Sequence, residues 1–253
     1  MDSSLDSLVL ALFLIATFFG GMVTGLAGFA FGLVVSGVWL HILTPLQTAS
    51  LIVGFGLVVQ GYGIWKLRRA LNWRHVLPLI IGGAIGVPIG VWLLAYMNPA
   101  WLRLGVGLLL VLYSLNGLLR PNLKPIPASV PAELTVGLFN GMLGGMTGLA
   151  GVFVTIWCGM RGWSKDVQRS VFQPVILAAF LITAASLAVS GSITADIVRL
   201  FAYGLPVLLA GMWIGLKLYG KLDDAGFRKV VLVLLLLSGI VLIVPELIAA
   251  ARP

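Results

Sequence analysis

The sequence predicts an all-α polytopic membrane protein made of two inverted-topology repeats, each a re-entrant or broken helical hairpin followed by three transmembrane helices. Two observations predict this fold class. Hydrophobic residues make up 60% of the 253-residue chain and charged residues 9%, whereas about a quarter of the residues are charged in an ordinary soluble domain. The phrase T-G-L-A-G also occurs twice, at 24–28 and at 147–151, which indicates an internal repeat.

Eight apolar segments account for most of the chain. A helix needs about 20 residues to cross a hydrocarbon core of about 30 Å. The apolar segments lie at 5–40, 44–65, 75–97, 100–119, 131–160, 168–190, 196–218 and 227–249. The first and the fifth are too long, because a straight helix of that length would measure about 45–54 Å. Each of these two carries T-G-L-A-G near its middle, so we expect a broken element there.

The repeat extends over the whole of each half-chain. Two further pairs of stretches correspond: Gly86–Gly90 with Gly211–Gly215, and Asn98–Arg103 with Asp223–Arg228. These pairs are 125 residues apart, and the T-G-L-A-G phrases are 123 residues apart. We therefore expect a single transmembrane domain over 1–253, with a first repeat at 1–119, a proline-rich cytoplasmic linker at 120–130 and a second repeat at 131–253.

Basic residues indicate how the segments cross the membrane. If all eight segments span, the 16 Lys and Arg residues divide evenly between the two faces, which gives no orientation. If the fifth segment enters and leaves on one face, thirteen of them gather there, which is the bias of a cytoplasmic surface. The same shape for the first segment, taken from the repeat alone, inverts the second half and places both termini outside. Nothing basic precedes the first segment, so whether it is re-entrant or spans stays open.

The composition excludes several classes of function. The net charge of +8 comes from short connectors, so it follows the positive-inside bias and does not indicate nucleic-acid binding. The acidic start M-D-S-S-L-D-S does not resemble a secretory signal, so we expect the first segment to be retained. Cys158, His41 and His75 provide neither a metal set nor a nucleophile with a base inside the spans. We expect no metal, no cofactor and no enzyme activity.

The two glycine phrases are the candidate binding elements. Glycine permits positive φ at a hairpin tip, and the helix that begins after the tip presents unpaired N–H groups and the positive end of its dipole, which suit an anion. The expected substrate-binding residues in the phrases are Thr24, Gly25, Gly28, Thr147, Gly148 and Gly151. The spacings Gly21-x-x-x-Gly25 and Gly28-x-x-x-Gly32 leave open the alternative that these glycines serve close helix packing.

Few polar side chains lie inside the apolar segments, and each is a candidate donor to a substrate. They are Gln47, Ser50, Gln60, Asn140, Gln168 and Gln173. Gln47, Ser50 and Gln168 join the expected binding set, and hydrogen bonding between helices is the alternative role. Arg169 is the strongest candidate cation, but we interpret it first as an anchor at the cytoplasmic face. All eight carboxylates fall in connectors or near segment ends, so we expect no buried Asp or Glu proton relay.

Four features together form a family pattern. They are the repeated four-segment unit, the early glycine phrase of each half, T-A-S-L at 48–51, and G-x-P-x-G-x-W-L-L at 86–94 with its counterpart in the second half. This pattern resembles the sulfite exporter TauE/SafE family of bacterial inner-membrane permeases over nearly the whole chain. The family's first hairpin usually has a denser glycine run, where this chain reads G-L-A-G-F-A-F-G. The positions carried over from the family are Gly25, Gly28, Gly148, Gly151, Gln47 and Ser50.

The resemblance implies a secondary transporter in a bacterial inner membrane. Its expected action is export of a small anion, sulfite or an organosulfonate such as sulfoacetate, by alternating access between the inverted repeats. The expected partners are the small anionic substrate and the lipid bilayer. Import of a small organic anion and a non-transporting scaffold subunit are the alternatives, because topology does not fix the direction of transport.

Overall fold

The computed structural model describes residues 3–67, 71–94, 99–119, 126–127, 129–147, 150–189 and 193–250. Within these ranges the regular secondary structure is entirely helical. The helices there are α1 (Ser3–Ala27), α2 (Phe31–Ile42), α3 (Pro45–Leu67), α4 (Trp73–Leu94), α5 (Pro99–Leu119), α6 (Val130–Thr147), α7 (Val152–Met160), α8 (Lys165–Val189), α9 (Ala195–Lys221) and α10 (Asp224–Ala250).

Six of the described helices are long and apolar enough to cross a membrane: α1, α3, α4, α8, α9 and α10. In α5 the described apolar stretch, Leu104–Leu119, is shorter. Five of the six helices fall on segments that the sequence predicts as full spans. The sixth, α1, is different, because the sequence assigns all of 5–40 to one broken element. The 25 residues of α1 measure about 37 Å, so this helix is long enough to span by itself.

Both over-long segments are broken at the T-G-L-A-G phrase. α1 ends at Ala27 and α2 begins at Phe31, and the connection uses positive φ at Gly28 (85°) and Ala30 (75°). α7 begins after Gly151, whose φ is 113°. Glycine adopts this left-handed region without strain, whereas a residue with a Cβ, such as Ala30, does so at a cost of about 1–2 kcal/mol. The glycines therefore let the chain turn from one helix into the next.

The contacts divide the chain into two compact units. The hairpin-1 unit comprises Met1–Val76 and Arg169–Leu222, and the hairpin-2 unit comprises Leu77–Gln168 and Asp223–Pro253. Each unit therefore takes helices from both halves of the sequence. The predicted organisation, a single transmembrane domain with repeats at 1–119 and 131–253, stays a prediction.

In the hairpin-1 unit, α2 folds back along α1. The ring of Trp39 stacks on Phe13 with centroids 4.9 Å apart, and its Nε1 donates to the Phe13 carbonyl oxygen at 3.4 Å. Phe31 and Phe55 extend this aromatic cluster, and all four side chains are at most 4% exposed. In lipid, van der Waals contact of this kind stabilises helix packing, because the acyl chains are as apolar as the rings. The first hairpin is therefore one packed element.

Glycines bring the backbones of α1 and α9 into contact. A Cβ on Gly21 or Gly25 would lie less than 3.0 Å from a carbonyl oxygen of α9, and a Cβ on Gly211 or Gly215 would approach a carbonyl oxygen of α1 as closely. Small residues at a helix crossing permit this approach in membranes. The small-residue spacing at Gly21 and Gly25 thus serves packing, as the alternative reading of the sequence proposed.

The hairpin-2 unit contains a crossing of the same kind between α4 and α6. A Cβ on Gly82, Gly86 or Gly90 would lie less than 3.0 Å from backbone atoms of α6, and Gly137 and Gly141 approach α4 in the same way. α5 packs along α10 in the same unit. In each unit, a hairpin helix therefore crosses a helix of the other half-chain at closely packed glycines.

The second hairpin consists of α6 and α7, and the end of α7 lies beside the residues that precede α6. The backbone N–H of Ile126, just before α6, donates to the Met160 carbonyl oxygen at the end of α7 at 3.1 Å. The guanidinium of Arg161 donates to the Ile126 carbonyl oxygen, and its plane stacks 4.8 Å from the Trp163 ring centre. The segments that enter and leave this hairpin are thus hydrogen-bonded to each other.

Candidate functional site

The expected binding residues divide between the two units. Thr24, Gly25, Gly28, Gln47 and Ser50 lie in the hairpin-1 unit, and Thr147, Gly151 and Gln168 lie in the hairpin-2 unit. Gly148 lies outside the described residues, and of Thr147 only the backbone at the end of α6 is described.

Thr24 and Gly25 lie in the last turn of α1. The hydroxyl of Thr24 is 1% exposed and donates to the Gly20 carbonyl oxygen of its own helix at 2.7 Å. Its carbonyl oxygen accepts the Gly28 N–H at 2.7 Å. The Thr24 side chain is thus engaged within α1, and the groups that this turn presents to other helices are carbonyl oxygens.

The tip of the first hairpin is the turn at 28–30 between α1 and α2. Gln47 and Ser50 lie far from this tip. The amide oxygen of Gln47 accepts from the backbone N–H of Thr44 at 3.0 Å and from its hydroxyl at 3.1 Å, so it fixes the start of α3. Ser50 is 8% exposed, and it precedes Gln60, which contacts the tip, by ten residues of α3. That separation corresponds to about 15 Å along a helix axis.

In the hairpin-2 unit, the start of α7 is capped from a distant part of the chain. The Asn140 amide oxygen accepts the N–H groups of Gly151 at 3.1 Å and of Val154 at 3.4 Å. The sequence predicts that N–H groups at the start of this helix donate to an anion, but those of Gly151 and Val154 are already bonded to Asn140. Gln168 is 6% exposed, and its amide nitrogen donates to the Trp163 carbonyl oxygen at 2.8 Å.

Two side-chain amides from other helices lie against the tip of the first hairpin. The Gly28 carbonyl oxygen faces the Nε2 of Gln60 from α3 at 3.2 Å and the Nε2 of Gln173 from α8 at 3.5 Å. The two glutamine side chains are 2% and 0% exposed. Both belong to the set of polar candidates in the sequence, but only the structure brings them to one carbonyl group.

Arg169 joins the same tip. Its side chain is 2% exposed, its Nη1 donates to the Gly25 carbonyl oxygen at 3.0 Å, and its guanidinium lies 4.3 Å from the centre of the Tyr219 ring. Gly28 makes room for it, because a Cβ there would lie 2.9 Å from the Arg169 Nε and 2.9 Å from the Phe172 ring. The sequence favours Arg169 as an anchor at the cytoplasmic face, whereas the structure buries it against the glycine phrase.

The beginning of α2 adds positive potential at this tip. α2 has 12 residues, and its N-cap residue, Ala30, makes no side-chain capping hydrogen bond. The first N–H groups and the dipole of a helix give this end a partial positive charge. Together with the guanidinium of Arg169, they favour a negatively charged ligand.

A simple signal in the sequence marks Arg169. It precedes Gln173 by four residues in α8, and residues four apart share one face of a helix. The helix face that carries the Gln173 amide therefore also carries the guanidinium. Tyr219 has no comparable signal, because the crossing of α9 over α1 brings it to Arg169.

The comparison with known proteins agrees with this architecture. The chain matches the family model described as Sulfite exporter TauE/SafE over residues 13–242, which confirms the resemblance seen in the glycine phrases. No curated protein and no solved structure matches it significantly. With six described helices long enough to cross a bilayer, the match identifies a multi-pass membrane protein, consistent with a bacterial inner membrane. The chain belongs to the sulfite exporter TauE/SafE family of membrane transporters.

Proposed function

We propose that this protein is a secondary transporter that exports a small anion, sulfite or an organosulfonate such as sulfoacetate, and that the anion binds at the tip of the first hairpin. The observation that carries the proposal is the burial of Arg169 against Gly25 and Gly28. Of the residues expected from the sequence, Gly25 and Gly28 belong to this site.

The chemistry of the tip favours an anion over a cation. A buried guanidinium stays charged at all physiological pH values and repels metal ions and ammonium groups. Ionisable groups inside a membrane protein are rare because they are costly to bury, so they mark substrate pathways. Arg169 is also a planar fork of donors, which matches two oxygens of a sulfite or sulfonate group.

Two inverted repeats supply the proposed transport mechanism. Three observations support them: the break at both T-G-L-A-G phrases, the matching glycine crossings of α1 with α9 and of α4 with α6, and the hydrogen bond between Ile126 and Met160 across the base of the second hairpin. Inverted repeats commonly place a substrate site at broken helices and move one bundle against the other. Alternating access is therefore the mechanism that we propose.

The membrane potential provides the driving force. An anion that leaves an inside-negative cell gains about 2.3 kcal/mol per charge for each 100 mV. Because the sequence contains no carboxylate in the middle of an apolar segment, we propose that export runs down the potential without a coupled proton.

Anion flux into proteoliposomes that contain only this protein tests the proposal. Sulfite, sulfoacetate, sulfate and acetate are offered in turn under an imposed potential of either sign. We expect flux of sulfite or the sulfonate that reverses with the potential. Folded protein that moves none of the four anions contradicts the transporter and favours a scaffold subunit. Flux of acetate alone contradicts the assignment of the substrate class and favours a carrier of organic acids.

A further inference from the structure

We propose that the site at the first hairpin selects anions that carry a hydrogen-bond donor, so that the transported species is hydrogensulfite or a hydroxylated or amino-bearing sulfonate and not the fully deprotonated oxyanion. This inference rests on the proposed function and narrows its substrate: sulfoacetate, whose sulfonate and carboxylate groups are both deprotonated at neutral pH, is then excluded. It follows from the two buried glutamine amides beside Arg169.

The orientation of both amides is set by the Gly28 carbonyl group. A carbonyl oxygen only accepts hydrogen bonds, so the amide nitrogens of Gln60 and Gln173 must face it, at 3.2 and 3.5 Å. Their Oε1 atoms then point away from the glycine. Both oxygens are buried and have no hydrogen-bond partner among the described residues.

The close fit of Gln173 fixes its amide further. A Cβ on Gly63 of α3 would lie 2.6 Å from both its Nε2 and its Oε1, so the amide lies flat against the bare backbone of α3. Gly63 follows Gln60 by three residues and shares its side of the helix. The packing of α3 against α8 therefore holds both amides at the tip where Arg169 bonds to Gly25.

Two acceptors beside a guanidinium define an unusual ligand. A buried acceptor without a partner costs free energy, so such groups are satisfied in nearly all proteins. A metal ion would satisfy them, but the charge of Arg169 opposes it. A fully deprotonated oxyanion suits the positive charge of Arg169 but brings only further acceptors to the amide oxygens. An anion with an O–H or N–H group suits that charge as well, and its donor bonds to the Oε1 of Gln60 or Gln173.

A pair of matched sulfonates tests this inference in the wild-type protein. Isethionate carries a terminal hydroxyl where propane-1-sulfonate carries a methyl group of similar size, and both have one negative charge. A site built to bond a hydroxyl rejects the analogue that lacks it. We expect isethionate to compete with sulfite flux at least about ten-fold more strongly, as expected when one buried acceptor gains or lacks its partner.

The pH dependence of sulfite flux gives a second test. With equal pH on both sides of the vesicle, the flux at constant total sulfite should fall as hydrogensulfite loses its proton near neutral pH. The flux of isethionate, whose charge is constant in this range, should stay level. Protein-free vesicles give the background from direct permeation.

Two neighbouring glycines of α3 provide matched variants. Gly63→Ala pushes the Gln173 amide from its place, whereas Gly61→Ala meets no heavy atom within 4 Å. Both replace glycine by alanine inside a helix, which by itself favours the helix. We expect Gly63→Ala to reduce the preference for isethionate over propane-1-sulfonate at least about three-fold, as a partial loss of one hydrogen bond would, and Gly61→Ala to keep it.

The outcomes separate the two proposals. Flux of sulfur oxyanions with equal competition by the two sulfonates, and with no decline at high pH, overturns the donor requirement and leaves the transporter standing; water then satisfies the amide oxygens. Absence of flux with every anion overturns the proposed function itself. Equal effects of Gly63→Ala and Gly61→Ala exclude Gln173 as the source of the preference.

Discussion

At the scale of single residues, the buried position of Arg169 is the basis of the proposed preference for anions. Two of its contacts are with neutral groups, the Gly25 carbonyl oxygen and the Tyr219 ring. Both contacts hold the guanidinium, which is 2% exposed, at the tip of the first hairpin. Its positive charge and planar N–H donors suit the oxygens of an anion.

We predict that Arg169→Gln lowers anion flux by about 10–100-fold, because a hydrogen bond to a charged group contributes about 1.5–3 kcal/mol. Arg169→Lys should restore part of the flux, since it keeps the charge but loses the planar fork. The measurement is the initial rate in proteoliposomes, normalised to folded protein.

Arg199→Gln is the matched control for this prediction. Arg199 belongs to the same unit, but its side chain is 73% exposed and lies 3.6 Å from Asp196. An exposed pair of this kind contributes little, so its loss should leave the flux unchanged. If Arg169→Gln and Arg199→Gln transport equally well, the site is not at the first hairpin.

At the scale of helices, the sequence predicts the position of the helix breaks better than it predicts which side chains contact them. Glycine is favoured at Gly28 and Gly151 because both have positive φ, which glycine adopts without strain, and the repeated phrase shows this preference in the sequence. The length of α1 is harder to predict, because Phe29 and Phe31 continue the apolar run through the turn. Hydropathy therefore cannot separate α1 from α2.

The contacts of the polar residues could not be predicted from the sequence. Gln60 and Gln173 lie in different halves of the chain, and their meeting at Gly28 depends on how α3 packs in the hairpin-1 unit. Gln47, which belongs with Gln168 to the expected binding set, instead accepts hydrogen bonds from Thr44 at the start of α3. Polar residues in an apolar segment thus indicate a hydrogen bond but not its partner.

We predict that Asn140→Leu destabilises the protein by about 2 kcal/mol or more, because it leaves two buried N–H groups at the start of α7 without an acceptor, each at about 1–3 kcal/mol. Leucine matches the size of asparagine, so the effect reports the hydrogen bonds. Thermal unfolding in detergent, followed by tryptophan fluorescence, measures it. Thr135→Val removes only a hydroxyl at the exposed start of α6 and should have little effect. Equal stability of the two variants would show that Asn140 does not cap α7.

Adjacent glycines of α4 test the helix crossing in the hairpin-2 unit. A Cβ on Gly82 would press into the backbone of α6, whereas a Cβ on Gly83 would lie 3.6 Å from the Gly137 carbonyl oxygen, an ordinary contact. We predict that Gly82→Ala lowers the unfolding temperature and that Gly83→Ala keeps or raises it, since alanine favours a helix by about 1 kcal/mol over glycine. Similar unfolding temperatures for both variants would contradict backbone contact between α4 and α6.

At the scale of the whole molecule, the distribution of charge and the shape of the second hairpin agree. Apart from Arg169, which is buried at the first hairpin, 12 of the other 15 basic residues gather on one face if the segment 131–160 enters and leaves on that face. The structure joins the two ends of that segment by the hydrogen bond between Ile126 and Met160. α9, with 27 residues and a length of about 40 Å, then connects opposite faces. Its basic end should lie inside the cell.

We predict this topology for single cysteines placed in a Cys158→Ala background. Cysteine at Ile193, before α9, should react with a membrane-impermeant maleimide in intact cells, because Ile193 is exposed and the predicted topology assigns it to the outer face. Cysteine at Ile126, Ser164 or Gly220 should react only after the membrane is opened. Ile126 and Ser164 flank the second hairpin, so labelling of these two positions from opposite faces would make that segment a full span and remove the inversion of the repeats. Labelling of both from outside, with Ile193 protected, would keep the hairpin but reverse the orientation of the protein, contradicting the positive-inside bias of its connectors.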